Sequence, residues 1–167
     1  MKTVTLMVWV ACFGPWCEAQ ASSSAVAPWP AKQLAPKFGK KTANGLWQVF
    51  EAANDGCHLE VHFQPNLGAS SRRALELDDC SAVVETRYQL LDADTVLADW
   101  AEERGGQAFV FHRTADQHLN WLEVAYESGD EESLTAQMAQ QVVRLKAGRH
   151  RYRVDVLPDG QLKLRKP

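Results

Sequence analysis

No stretch of this chain is apolar for long enough to cross a bilayer as a helix. The longest such run, Val4 to Trp16, covers 13 residues, whereas about 20 are needed to span roughly 30 Å of hydrocarbon. A permanent membrane anchor is therefore not expected. Cysteine is sparse, with four in 167 residues, and none is arranged as Cys-x-x-Cys, which removes the common zinc and thiol-redox signatures. The chain also lacks an excess of positive charge. Its formal net charge is −3, so bulk attraction to nucleic acid is not expected. Absent too are Gly-x-Ser-x-Gly, His-Glu-x-x-His and a phosphate-binding glycine loop, the spacings that present a nucleophile, a zinc pair or a nest of backbone N–H groups. No catalytic residue, metal or cofactor is assigned on these grounds, and no internal repeat is visible.

What is present begins with an export address. Lys2 supplies a positive start, the apolar run is interrupted only by Thr5 and Gly14, and Ala19-Gln20-Ala21 fits the small-x-small pattern cut by signal peptidase. A lipid anchor at Cys12 is disfavoured, because Trp9-Val10-Ala11 makes a poor lipidation box. Residues 1–21 thus read as a signal peptide cleaved near Ala21, with a periplasmic or secreted destination. The 146 residues that remain (167 less 21) suffice for one domain with a real core. Cys12 and Cys17 leave with the leader. Cys57 and Cys80 stay, an even pair in an oxidising compartment, and are expected to form a structural disulfide.

Residues 22–43 read as a flexible arm rich in serine, proline and lysine, a composition that cannot support a packed core. Trp29, between Pro28 and Pro30, is its one apolar anchor. Residues 44–167 read as a single β-rich domain. Leu46 to Phe50 is a strand, followed by a turn at Asn54-Asp55-Gly56 and by Cys57 to Phe63, which alternates strictly. Ala74 to Leu77 is a short strand. Gln107 to Arg113 carries apolar residues on both sides and suits a strand covered on both faces. Leu119 to Tyr126 is another strand, with Leu122, Val124 and Tyr126 inward. Arg149 to Leu157 and Gln161 to Arg165 form a hairpin around Pro158-Asp159-Gly160. Tyr88 to Glu103 reads either as a hairpin turning at Asp92-Ala93-Asp94 or as a helix capped by Asp94. Leu134, Met138 and Val142 recur at helical spacing and predict a short helix. The expected fold is mainly β: an antiparallel barrel or sandwich of about eight strands, one or two short helices and one disulfide.

Several residues carry possible chemistry. His58, Glu60 and His62 project from one strand face and are legitimate zinc ligands. An extended strand nevertheless spreads the outer imidazoles about 13 Å apart, too far for one ion, and the expected reading is a solvated face. His112 and His118 flank a turn near Arg113 and could form a ligand-binding tip. Trp100 and Trp121 are candidates for stacking on a ligand such as a carbohydrate. Charge is the most sharply patterned feature. From Asp99 to Glu132 there are nine acidic residues against Arg104 and Arg113, and from Gln140 onward eight basic residues against Asp155 and Asp159. In the last hairpin Arg149, Arg151 and Arg153 share a face opposite Tyr152, Val154 and Val156, with Lys163 and Arg165 expected across from Asp155 and Arg153. Either the two halves pair with each other, or the basic residues form a patch for an acidic partner.

Gly45-Leu46-Trp47-Gln48-Val49, then Cys57-x-Leu59-x-Val61, the second cysteine at Cys80, and Leu90-Leu91-Asp92-Ala93-Asp94 together resemble bacterial metalloprotease inhibitors of the serralysin-inhibitor class. The resemblance implies a small exported β-barrel with one disulfide, whose N-terminal residues enter a protease cleft, a role that falls here to the arm before Gly45. Thr95 stands where that family's turn glycine is expected, and residues beyond Arg113 have no counterpart in it. The leading expectation is an exported, non-enzymatic binding protein that inhibits a secreted or periplasmic hydrolase, its partner a protein of the exported compartment. Partner-contact candidates are Trp29, Arg149, Arg151, Arg153, Lys163 and Arg165. A β-sandwich binding carbohydrate or another small ligand is the alternative, and an exported enzyme without a recognisable motif stands third.

Overall fold

Alternating apolar and polar residues make strands throughout, and the strands assort in chain order into three antiparallel sheets. A computed structural model describes residues 35–52, 57–77, 80–128 and 133–165. The first sheet holds β1 (Phe38–Lys41), β2 (Gly45–Ala52), β3 (Cys57–Pro65) and β4 (Ser71–Leu77). The second holds β5 (Glu85–Leu90), β6 (Thr95–Glu102), β7 (Gly105–Arg113) and β8 (Leu119–Glu127). The third holds β9 (Thr135–Ala139), β10 (Val142–Ala147), β11 (His150–Val156) and β12 (Leu162–Arg165). Each sheet is a meander in which every strand pairs with its neighbour in sequence.

Two hydrophobic cores lie on opposite faces of the middle sheet. Trp47, Val49, Leu59, Val61 and Phe63 of the first sheet pack on Val96, Ala98, Trp100, Phe109 and Phe111. The alternate residues Leu97, Ala108, Val110, Val124 and Tyr126 face Ala136, Val143, Leu145, Ala147 and Val154 of the third sheet. A strand with both faces covered has no polar side, which is why β6 and β7 read as nearly continuous apolar runs. The strand over Gln107 to Arg113 behaves as its sequence indicates.

The first two sheets are tied at both ends. Cys57, which opens β3, is bonded to Cys80 on the way into β5, with Cα atoms 5.7 Å apart. At the other end the Trp47 indole N–H donates to the Ala93 carbonyl at 3.0 Å. Asp94 accepts from Arg113 Nε at 2.9 Å and from Asn44 Nδ2 at 3.1 Å, and the Arg113 guanidinium lies 4.5 Å from the Phe63 ring centroid. The third sheet is joined to the second by the Asn120 side-chain amide, which donates to the Gly160 carbonyl at 2.9 Å. Gly160 has φ of 78°, and a Cβ there would come within 2.3 Å of Thr114 Cγ2. Glycine is thus needed for both the turn and the contact.

Several expectations are corrected. Among the described residues there are twelve strands rather than about eight and no helix, and the sheets do not close into a barrel. Leu134 to Val142, expected as a helix, contains β9 and the turn into β10. There the two-residue period of Val143, Leu145 and Ala147 against Arg144 and Lys146 outweighs the helical spacing, because it alone buries one face against the middle sheet. The open choice over Tyr88 to Glu103 resolves as the hairpin of β5 and β6, whose turn is held by the Asp92 side chain accepting from the Asp94 N–H at 2.9 Å. Within the expected arm, Phe38–Lys41 form β1, paired along β2. Trp29 and the rest of the arm, the leader, and the Asn54-Asp55-Gly56 turn lie outside the described residues.

Candidate anion-binding face

The third sheet covers the middle sheet with one face and leaves the other open. Alternation decides which residues stand on each. Val143, Leu145 and Ala147 of β10 and Val154 and Val156 of β11 are buried, so Arg144, Lys146, Arg151, Arg153 and Asp155 point outward. The hairpin register continues the pattern: Asp155 is opposite Lys163, and Arg153 is opposite Arg165, as the sequence indicates. On the other side of β11, Arg144 is opposite Arg153 and Lys146 is opposite Arg151. The open face therefore carries six cationic side chains from three adjacent strands, with Asp155 as the one acid at its outward strand positions.

Asp155 is already engaged. Its Oδ1 accepts from Arg153 Nε at 2.6 Å and its Oδ2 from Arg165 Nε at 2.9 Å. These two bonds, first Arg153 and then Arg165, hold the carboxyl below its ordinary pKa. Beside this pair the face dips into a shallow depression of about 530 Å3, walled by Thr135, Gln137, Arg144, Lys146, Arg151 and Arg165 over Leu145 and Tyr152. Arg149 sits in the turn at the end of the face, beyond the strand positions.

Of the expected contacts, Arg151, Arg153, Lys163 and Arg165 thus come together, and two further cations join them. Arg144 and Lys146 lie just beyond the expected helix, and their alternation with Val143, Leu145 and Ala147 is the signal that places them on this face. Of the two alternatives for the charged halves, pairing between them has no ion pair among the described residues, where Asp99 lies beside Arg87, Asp116 beside His118, and the third-sheet cations that pair do so with Asp155. Asp130, Glu131 and Glu132 lie outside the described residues.

The other candidates are dispersed. Trp100 is 2% exposed in the first core, edge-on to Phe109, and cannot serve as a stacking platform. Trp121 is half-buried, with the Arg73 guanidinium 5.9 Å from its ring centroid. His112 is buried, its Nδ1 3.0 Å from Thr95 Oγ1. Burial pushes its pKa down, against the opposing pull of Asp92 and Asp94. His118 stands in solvent on the turn, 3.5 Å from Asp116, so the two histidines do not form one site. The face carrying His58, Glu60 and His62 is not simply solvated either. Glu60 is 7% exposed, in ionic contact with Arg72 and 2.9 Å from His62 Nε2, and the His62 ring packs at a tilt against Phe50. Among the described residues no group of three or more His, Cys, Asp and Glu side chains is placed to hold a metal ion.

A buried polar pair escaped sequence reasoning altogether. Tyr126 donates to Asp99 Oδ1 at 2.6 Å, while Asp99 Oδ2 is buried without a hydrogen bond and lies 4.0 Å from Arg87. Burial raises the pKa of both groups, more than the Tyr126 bond and Arg87 lower that of Asp99. Comparison with known proteins adds no assignment: no protein-family model, curated protein or solved structure matches the chain.

Proposed function

We propose that this chain is an exported, non-catalytic binding protein that engages an acidic protein partner on the open face of its third sheet. The observation that carries this reading is the set of like-charged cross-strand pairs, Lys146 with Arg151, Arg144 with Arg153 and Arg153 with Arg165, offset by Asp155 alone. Like charges directly opposite one another destabilise a sheet by up to about 1 kcal/mol per pair. A bound anion reverses the sign of that interaction, so the face is better satisfied occupied than empty. The export signal and the disulfide support a partner met outside the cytoplasm. Inhibition of a secreted or periplasmic hydrolase is the particular form suggested by the resemblance in sequence, with the third sheet as a contact surface that the resembling family lacks. A carbohydrate-stacking role is less well supported, because Trp100 is buried and Trp121 is half-covered.

The test is retention of polyglutamate by the immobilised mature chain as salt rises from about 0.05 to about 0.5 M, across which screening shortens from roughly 14 to 4 Å. Retention at low salt, release at high salt and loss in an Arg144→Glu/Arg151→Glu variant are expected. Equal retention by that variant would sink the reading.

A further inference from the structure

The following rests on the anion-binding reading of the third sheet and gives it a ligand geometry. Strand geometry places the cations on a lattice. Outward residues of one strand recur about 6.6 Å apart, and directly opposed residues on neighbouring strands lie about 5 Å apart. One corner of the lattice is filled by the protein itself, where the Asp155 carboxylate accepts from an arginine of β11 and an arginine of β12. Asp155 shows how a carboxylate sits on this surface. Two residues further along the strands, Lys146 faces Arg151, and Arg144 stands at the next outward position of β10. Among the described residues these three cations have no hydrogen-bond or ion-pair partner. Along one edge they are flanked by the uncharged hydrogen-bonding side chains of Thr135 and Gln137.

The open sites therefore repeat along the strand direction with the period of an extended chain. A peptide in extended conformation puts alternate side chains on one side, about 6.6 Å apart. Its carboxylates at alternate positions meet the Lys146–Arg151 pair and then Arg144, whereas consecutive acidic residues turn every second carboxylate away. We infer that the open face binds an extended acidic segment of the acidic-x-acidic pattern, lying along β10 and β11 over Lys146, Arg151 and Arg144, and that Asp155 is a built-in competitor that keeps Arg153 and Arg165 out of that site.

Two fluorescent peptides of equal length and charge distinguish this from attraction to charge alone: one alternating Glu and Ser, the other a block of Glu followed by a block of Ser. Binding to the mature chain is read by anisotropy at low salt, with dextran sulfate as a third probe. The alternating peptide is expected to bind about threefold to tenfold more tightly than the block peptide, the scale of one or two exposed ion pairs. Arg151→Glu should abolish the preference. Asp155→Asn should tighten binding severalfold by freeing two arginines, with circular dichroism and melting checking that each variant folds. Equal binding of the two peptides, still lost in Arg151→Glu, overturns the register and leaves anion binding standing. Binding of dextran sulfate alone replaces the peptide with a sulfated glycan. Failure of all three probes removes the anion-binding reading itself. Unchanged affinity in Asp155→Asn overturns the competitor role.

Discussion

The Tyr126 phenol donates to the Asp99 carboxylate at 2.6 Å within the apolar layer between the second and third sheets. The ring reaches it by lying across Gly106, where φ is 152° and a Cβ would come within 2.7 Å of the phenol oxygen. Asp99 keeps one oxygen buried without a hydrogen bond, so the phenol is the main compensation for a costly burial. Tyr126→Phe should therefore destabilise the fold by about 1.5–3 kcal/mol, the range for a hydrogen bond to a charged group. Urea unfolding with an unchanged m-value checks it, and a loss below a few tenths of a kcal/mol would show the bond to be dispensable.

The same pair makes a pH prediction. Burial raises the pKa of Asp99 above its unfolded value. Ionisation is then harder in the folded chain, so the unfolded chain binds fewer protons between the two values. The stability contribution of Asp99 is full below the unfolded value near 3.9 and declines as pH rises through the raised folded value. Asparagine does not titrate. Melting temperatures of wild type and Asp99→Asn should accordingly diverge in favour of the variant as pH rises above about 4. A difference that stays constant as pH rises from there would contradict the raised value.

The turn between β9 and β10 is built from Gln140 and Gln141, with φ of 51° and 61°. Two-residue hairpins of this shape favour Asn-Gly, because side chains with a Cβ are strained at positive φ. Replacing the pair by Asn-Gly should stabilise the protein by about 1–2 kcal/mol, measurable as a rise in melting temperature. A loss of stability would mean that the glutamine side chains contribute contacts worth more than the strain.

Cys57 and Cys80 are 23 residues apart in sequence, and a loop of that size restricts the unfolded chain by about 3 kcal/mol. Unfolding in the presence of a reductant should lower the denaturant midpoint accordingly. A midpoint indifferent to reduction would show that the ties at Trp47 and Asp94 suffice to hold the first two sheets together.

Trp47 donates to the Ala93 carbonyl across 46 residues of sequence and is fully buried. Trp47→Phe keeps most of the apolar surface and removes the donor, leaving a carbonyl in the turn before Asp94 to find water. A loss of about 1 kcal/mol is expected, read by chemical unfolding. A loss above about 3 kcal/mol would point to packing rather than the hydrogen bond.

Strict alternation placed Cys57 to Phe63 correctly, and Pro158-Asp159-Gly160 set the register of the last hairpin, down to Arg153 opposite Arg165. Both are local: the period of two and the turn residues are written within a few positions. The region around Met138 misled because Ala136 and Ala139 are small and weakly informative, and because Gln140-Gln141 carries no turn signal. The strand assignment there depends on an apolar face of the middle sheet that lies far away in sequence.

Cysteine parity, the two-residue period and the turn chemistry sufficed for a β-rich chain with one disulfide and a basic last hairpin. How many sheets form, and that they stack around a doubly covered middle layer, depended on which apolar faces meet. The same packing seals Trp100 and His112 inside. It also turns one face of the third sheet outward, and there Arg144 and Lys146 of one strand come beside Arg151, Arg153 and Arg165 of the next two. Burial of one face of a sheet dictates the content of the other, and only long-range packing selects which face is buried.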